Sequence, residues 1–246
     1  MIAVKKYTAE EYVKYIEAFN FKRKITKIQL HHTYSPNIKS FSGNNHMALQ
    51  QGMKNYHVKS RGFSDIAQNL TIFPDGTVVS GRDLNIKPAG ITNANTGAIC
   101  IECLGNFDAE EIPIAQKEAI VKVVKAFLKK CNLAPENAVV YHAWYSSGGY
   151  IGDYNKKTSL KTCPGTKFFS GNTREAFEKN LLPLLREEPQ KTIETPNDIL
   201  WDIMNNPRIK IEITDEKRAL EALIKAKEEQ SSLYWIIYKI VNKARV

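Results

Sequence analysis

Two apolar stretches that each end in histidine constrain this chain most: KIQLHH at Lys27–His32 and AVVYH at Ala138–His142. A strand buried in a sheet delivers its last side chains to the sheet edge, where connecting loops meet. A third stretch, LKTCPG at residues 160–165, places Cys163 in a polar loop directly before Pro-Gly, a poor setting for a core cysteine. Two imidazoles and one thiolate suit a four-coordinate, borderline-soft Zn2+, and three protein ligands leave one position open for water. The pattern points to hydrolytic rather than structural zinc chemistry.

The rest of the first 188 residues reads as a scaffold for these stretches. Thr8-Ala-Glu-Glu11 is a capping box opening a helix with Tyr12, Ile16 and Phe19 on one face. A helix is expected over residues 45–59, ended by Gly62-Phe63. AQNLTIFPDGTVVSGR reads as strand, turn, strand, because Pro74-Asp75-Gly76 is turn chemistry between apolar runs. GAICIECLG is a further strand. Beyond Pro113, Ile120, Val123, Val124, Phe127 and Leu128 recur at helical spacing, and a last helix is expected over residues 173–186. Strands mixed with helices, with ligand-type residues at strand ends, describe an α/β fold with a central mixed sheet flanked by helices.

Glu187-Glu188-Pro189-Gln190 reads as a linker, which divides the chain into a catalytic domain at 1–188 and a C-terminal segment at 189–246. In that segment Ile199, Leu200 and Ile203, then Leu220, Leu223 and Ile224, then Leu233, Ile236, Ile237, Ile240 and Val241 suggest three helices. A small all-helical module of this size needs tight packing, against the first domain or another copy. Wall binding and dimerisation both suit it, and Tyr234, Trp235 and Tyr238 would serve either or pack inward.

The formal charge of +9 is concentrated upstream, since residues 189–246 hold ten Lys/Arg against nine Asp/Glu. A basic surface favours a polyanionic partner. No zinc-finger spacing, helix-turn-helix pattern or RNA-binding aromatic motif is present, so nucleic acid is not expected. No apolar run reaches membrane-spanning length. The N-terminus lacks the apolar region of a signal peptide, and synthesis in the cytosol is expected. Four cysteines do not make a disulfide scaffold. Cys100 and Cys103 form a C-x-x-C, but within a strand an offset of three puts them on opposite faces. Cys131 reads as core.

Together, IQLHHT, FSDIAQNLTIFPDGTVVSGRD, NTGAICIECLGNFD, VVYH and KTCPG resemble, in identity and order, the zinc-dependent N-acetylmuramoyl-L-alanine amidases. These include the phage lysozyme-type enzymes that share a fold with peptidoglycan-recognition proteins. The resemblance runs from about Ile25 to Leu185 and leaves the C-terminal segment uncovered. It implies His31, His142 and Cys163 as the metal ligands, with His32 pointing to the other side of its strand, as alternation also requires. It implies bacterial peptidoglycan as substrate and the amide between N-acetylmuramic acid and L-alanine as the bond cut. Lys161 matches the family lysine that stabilises negative charge on the carbonyl oxygen.

The general base is less direct. Some members use a tyrosine on the strand before the Asp-Gly turn, and alignment on Asp75-Gly76 places Gln68 there, which cannot transfer protons. Others use a glutamate at the position of Glu102. A carboxyl group in so apolar a strand is costly to bury unpaired, and desolvation would raise its pKa toward a useful value. Glu102 is therefore the expected base, and its structural alternative is pairing with Arg82 or Lys161. His46 and His57 read as solvated or capping residues on a helix.

The family pattern is broken in two places. PAGITNANTGAI lacks a histidine that members often carry, and the segment between His142 and Cys163 is long and holds Trp144, Tyr145, Tyr150 and Tyr154. Those aromatics would stack on sugar or stem peptide, or fold back onto the domain. The alternative to an enzyme is a non-catalytic peptidoglycan-recognition module; members that only bind tend to lack the cysteine ligand, which this chain keeps. The natural biology is an endolysin or autolysin that acts on the wall after release.

Overall fold

The computed structural model describes residues 4–186. The expected C-terminal helices and the 189–246 module lie outside the described residues.

The first strand, β1 (Lys6–Tyr7), leads into α1 (Ala9–Ala18). The capping box forms as expected: Glu11 N–H donates to Thr8 Oγ1 at 3.2 Å and Thr8 N–H to Glu11 Oε2 at 2.8 Å. Strand β2 (Lys27–His32) follows, then α2 (His46–Asn55), which continues through one wider helical turn at Tyr56–Ser60. Strands β3 (Leu70–Ile72) and β4 (Val78–Ser80) flank the Pro-Asp-Gly turn, where Gly76 takes φ +83°. Strand β5 (Ala98–Cys103), α3 (Ile114–Cys131), the short α4 (Pro135–Ala138) and β6 (Val139–Tyr141) complete the layered unit.

The sheet has the order β1-β4-β3-β5-β2-β6. β1 and β3 run antiparallel to β4, whereas β3, β5, β2 and β6 are mutually parallel. The mixed sheet expected from the sequence is present. Parallel strands need a crossover, and α3 lies in the one from β5 to β6, which flank β2 in the sheet.

Alternation sorts the strand residues. Ile28, Leu30, Ile99, Ile101 and Cys103 join Tyr12, Ile16, Ile120, Val123, Val124 and Phe127 in one core beneath α1 and α3, which pack on each other. Gln116 of α3 donates from Nε2 to Ile72 O at 2.8 Å and to Leu104 O at 3.1 Å, satisfying carbonyls at the ends of β3 and β5. The opposite face carries Gln29, His31, Cys100 and Glu102. Cys100 and Cys103 are both buried free thiols on different sides of β5, as alternation requires.

The segment after His142 is not one open loop. Strands β7 (Tyr145–Ser146) and β8 (Gly149–Tyr150) pair as a hairpin. The last helical stretch comprises α5 (Arg174–Ala176), a wider turn at Phe177–Leu181 and α6 (Leu182–Leu185). Pro183 has no N–H to continue the α-helical ladder, which accounts for the change of winding.

Two expectations about helix α2 are corrected. His46 is buried, not solvated: its Nε2 lies 2.8 Å from Asp75 Oδ2, and its ring packs between Phe41 and Phe73. It ties α2 to the β3–β4 turn. His57 is half-buried, accepts the Ala67 N–H at Nδ1 (3.2 Å) and stacks on Phe63.

Candidate metal centre

His31, His142 and Cys163 converge. One ligand atom from each lies within 4.8 Å of the others, and all three residues are buried. His31 sits near the end of β2. His142 follows β6 in a tight turn, and the β2–β6 register of Leu30 with Tyr141 brings it beside His31. The two rings are 5.1 Å apart, edge to face.

Cys163 reaches the cluster on a loop anchored at several points. Its carbonyl accepts the Ala143 N–H at 2.7 Å. Asp108 accepts Thr162 Oγ1–H at 2.6 Å and Thr166 N–H at 2.9 Å, and Asn172 Nδ2 donates to Thr162 O at 2.7 Å. Gly165, at φ +112°, lies so close to Phe107 that an added Cβ would stand 2.5 Å from the Phe107 carbonyl carbon. The loop is jammed against the β5–α3 connection.

The donor set fits a zinc ion. Cys163 Sγ lies 3.4 Å from His31 Nδ1; ordinary Zn–S and Zn–N bonds set a tetrahedral S···N edge of about 3.5 Å. Burial holds His31 well below its ordinary pKa, with His142 and His32 adding to the effect, and lowers His142 to about 4. Both imidazoles are therefore neutral and have a lone pair to give. Burial, helped by the Glu102 charge, pushes the Cys163 thiol up; a divalent cation reverses that balance by stabilising thiolate. Among the described residues this is the one cluster of three such donors.

His32 stands apart, as expected. It faces the other side of β2, accepts the Phe107 N–H at Nδ1 (3.1 Å), and is lowered to about 4 mainly by burial.

Glu102 is the in-register neighbour of His31 on β5. Its Oε2 is enclosed without a partner among the described residues. Burial, opposed in part by the Lys161 charge, raises its carboxyl to about 8. Pairing with Arg82 does not occur, because Arg82 Nε, Nη1 and Nη2 donate to the carbonyls of Ile66, Lys87 and Asp65 at 2.8, 3.0 and 3.1 Å. Among the described residues no ion pair joins Glu102 to Lys161 either. Lys161 is exposed at the rim, and its charge acts on His31, His32, Glu102, His142 and Cys163 alike. Gln68 is fully buried and donates from Nε2 to Thr71 Oγ1 at 2.9 Å, beside Glu102 in the sheet.

The aromatic segment divides. Trp144 is buried, donates from Nε1 to Asn172 O at 2.8 Å and lies under the Arg174 guanidinium. Tyr145 is buried and Tyr154 packs partly on the core. Tyr150 is exposed and, with Lys27, Asn93 and Asn137, lines a cavity of about 520 Å³.

The family described as N-acetylmuramoyl-L-alanine amidase matches residues 21–166, which contain every donor of the cluster. The chain belongs to the N-acetylmuramoyl-L-alanine amidase family. Peptidoglycan-recognition protein SC2 of Drosophila melanogaster is 28% identical over 120 residues, covering 49% of this chain and 58% of that protein. An N-acetylmuramoyl-L-alanine amidase of Sus scrofa is 25% identical over 162 residues, covering 63% of this chain and 24% of that protein. The matched region thus spans little more than half the length of the first of these relatives. The solved Drosophila PGRP-LB wild-type structure superposes with a TM-score of 0.52 at 19% identity, covering 69% of this chain and 89% of that chain. At that identity the likeness establishes the fold, which this amidase-family chain shares.

Two site-building residues escaped the reading of the sequence. Asp108 anchors the cysteine loop from the β5–α3 connection. Gln29 is a fully buried amide two residues before His31; a polar residue at an inward position of an otherwise apolar strand was the available signal.

Proposed function

We propose that this chain is a zinc-dependent hydrolase that cleaves the amide between N-acetylmuramic acid and L-alanine in bacterial peptidoglycan. The observation that carries the proposal is the convergence of His31, His142 and Cys163 next to the Glu102 carboxyl group, whose Oε2 is enclosed with no partner among the described residues. A zinc ion held by the three donors supplies a Lewis acid that polarises the scissile carbonyl and acidifies a water. The chain's own residues do the rest. The Glu102 carboxylate takes the proton of the attacking water and passes it to the leaving amine nitrogen. Lys161 Nζ, at the rim, compensates negative charge growing on the carbonyl oxygen. The apolar wall around Glu102 keeps its proton affinity high enough for both transfers.

A second reading, recognition without cleavage, is favoured by the similarity to a recognition protein. Both readings are separated by mass spectrometry of purified peptidoglycan after incubation, with and without a chelator. Stem peptides with a free L-alanine amino terminus, lost on chelation and restored by zinc, support the hydrolase. Wall binding with no such fragments supports the recognition reading, and glycan fragments contradict both. Release into the wall in the manner of an endolysin is part of the proposal and concerns when the enzyme meets its substrate, not how it cuts.

A further inference from the structure

Gln29 has no role in the chemistry above, yet it is built into the site. It lies on the same side of β2 as His31 and is fully buried. Its Nε2 donates to Ala94 O at 3.0 Å, which fixes the amide plane, and its Oε1 has no partner among the described residues. His31 is its complement: Nδ1 faces Cys163 Sγ at 3.4 Å, while Nε2 is enclosed without a partner among the described residues. Both orphaned atoms converge on the backbone of Gly90. A Cβ placed there would lie 2.5 Å from Gln29 Oε1, 3.1 Å from His31 Nε2 and 2.8 Å from Cys100 Sγ. Only glycine lets this segment close over the three groups.

A neutral imidazole that offers Nδ1 to a metal carries its proton on Nε2. A buried N–H seeks an acceptor. Of the groups around Nε2, the Cys100 sulfur is a weak acceptor and the Gln29 amide oxygen a full one. We propose that Gln29 is a positioning residue: in the zinc-loaded protein its Oε1 accepts the His31 Nε2–H, directly or through one water, and holds His31 in the tautomer that presents Nδ1 to the metal. This rests on the zinc reading of the site. Such partners of ligand imidazoles raise metal affinity by orienting the ring and increasing its basicity.

The test compares full-length wild type, Gln29→Leu and Gln29→Glu. Zinc affinity is measured by competition with a chelator, and the His31 tautomer by long-range 15N correlation in the zinc-loaded wild type. Expected are an Nε2-protonated His31 and a loss of about 10–100-fold in zinc affinity for Gln29→Leu, beyond any lowering of the metal-free melting temperature that loss of the Ala94 hydrogen bond brings. Gln29→Glu keeps an acceptor and holds zinc at least as tightly as wild type. Coordination through Nε2, or wild-type affinity in Gln29→Leu, overturns the inference. If the leucine variant does not fold, the wild-type tautomer alone decides. A wild type that binds no zinc refutes the zinc reading itself and takes this inference with it; zinc binding indifferent to Gln29 refutes this inference alone.

Discussion

His31 and Glu102 are paired in register on the parallel strands β2 and β5. A parallel ladder projects paired residues to the same face, so a candidate metal-ligand imidazole and a carboxyl group with no ion-pair partner among the described residues stand side by side in one row of the sheet. That row gives the proposed metal and the proposed base adjacent positions without help from any flexible loop.

Removal of the carboxylate tests the role of Glu102. Glu102→Gln is expected to lower turnover by about 10²–10⁴-fold while zinc content stays at the wild-type level. Rates on purified peptidoglycan and metal analysis of the same samples check both parts. Activity close to wild type would assign the proton transfers elsewhere.

The same substitution has a stability consequence. The Glu102 carboxyl is raised in the folded protein to about 8, so the folded state keeps a proton that the unfolded state releases near the ordinary glutamate pKa of about 4.3. Wild-type metal-free protein therefore loses stability as pH rises through the interval between these values. Glu102→Gln is expected to match wild type at pH 4 and to exceed it increasingly toward pH 8. Thermal melts of metal-free protein across that range read the difference.

Lys161 acts at the rim, and its removal leaves the donors in place. Lys161→Ala is expected to reduce kcat by about 10²–10³-fold with KM changed much less, since the charge it meets develops in the transition state. An effect confined to KM would make it a substrate-binding residue.

Much of this site was legible before the fold was known, and for a local reason. Strand alternation separates His31 from His32 and Cys100 from Cys103 with no tertiary information, and the Pro74-Asp75-Gly76 turn fixes the β3–β4 pair. What could not be read depended on distant partners. His46 is buried because Asp75, from a turn far along the chain, meets its Nε2. The two-residue β1 exists only by pairing with β4. Whether Glu102 pairs with Arg82 depended on where the Ile66, Lys87 and Asp65 carbonyls lie, and they take the guanidinium.

The His46–Asp75 contact makes its own prediction. Burial acts to raise the Asp75 carboxyl, but hydrogen bonds from Thr77 and His46 outweigh it, and the net shift is downward. A lowered folded pKa contributes stability above the unfolded value and loses it as pH falls through the folded one. Asp75→Asn is expected to cost about 0.5–1 kcal/mol near neutral pH, a modest figure because the side chain is over a third exposed and solvent screens it. The cost should shrink in denaturant titrations below the ordinary aspartate pKa of about 3.9.

Gly165 links stability to the site. An added Cβ meets the Phe107 backbone at 2.5 Å and the φ of +112° strains any side chain. Gly165→Ala is expected to destabilise by about 1–3 kcal/mol and to weaken zinc binding, because the loop that shifts carries Cys163. Destabilisation without loss of zinc affinity would show that Cys163 is held independently of this turn.

The most direct test of the account is the zinc content of the purified full chain at equilibrium, with wild type beside His31→Ala and Cys163→Ala. One zinc per wild-type chain is expected, with affinity reduced by at least about 100-fold in each variant, since each removes one of three protein ligands. Zinc bound with undiminished affinity in both variants would contradict it, placing the metal, and with it the proposed chemistry, away from this cluster.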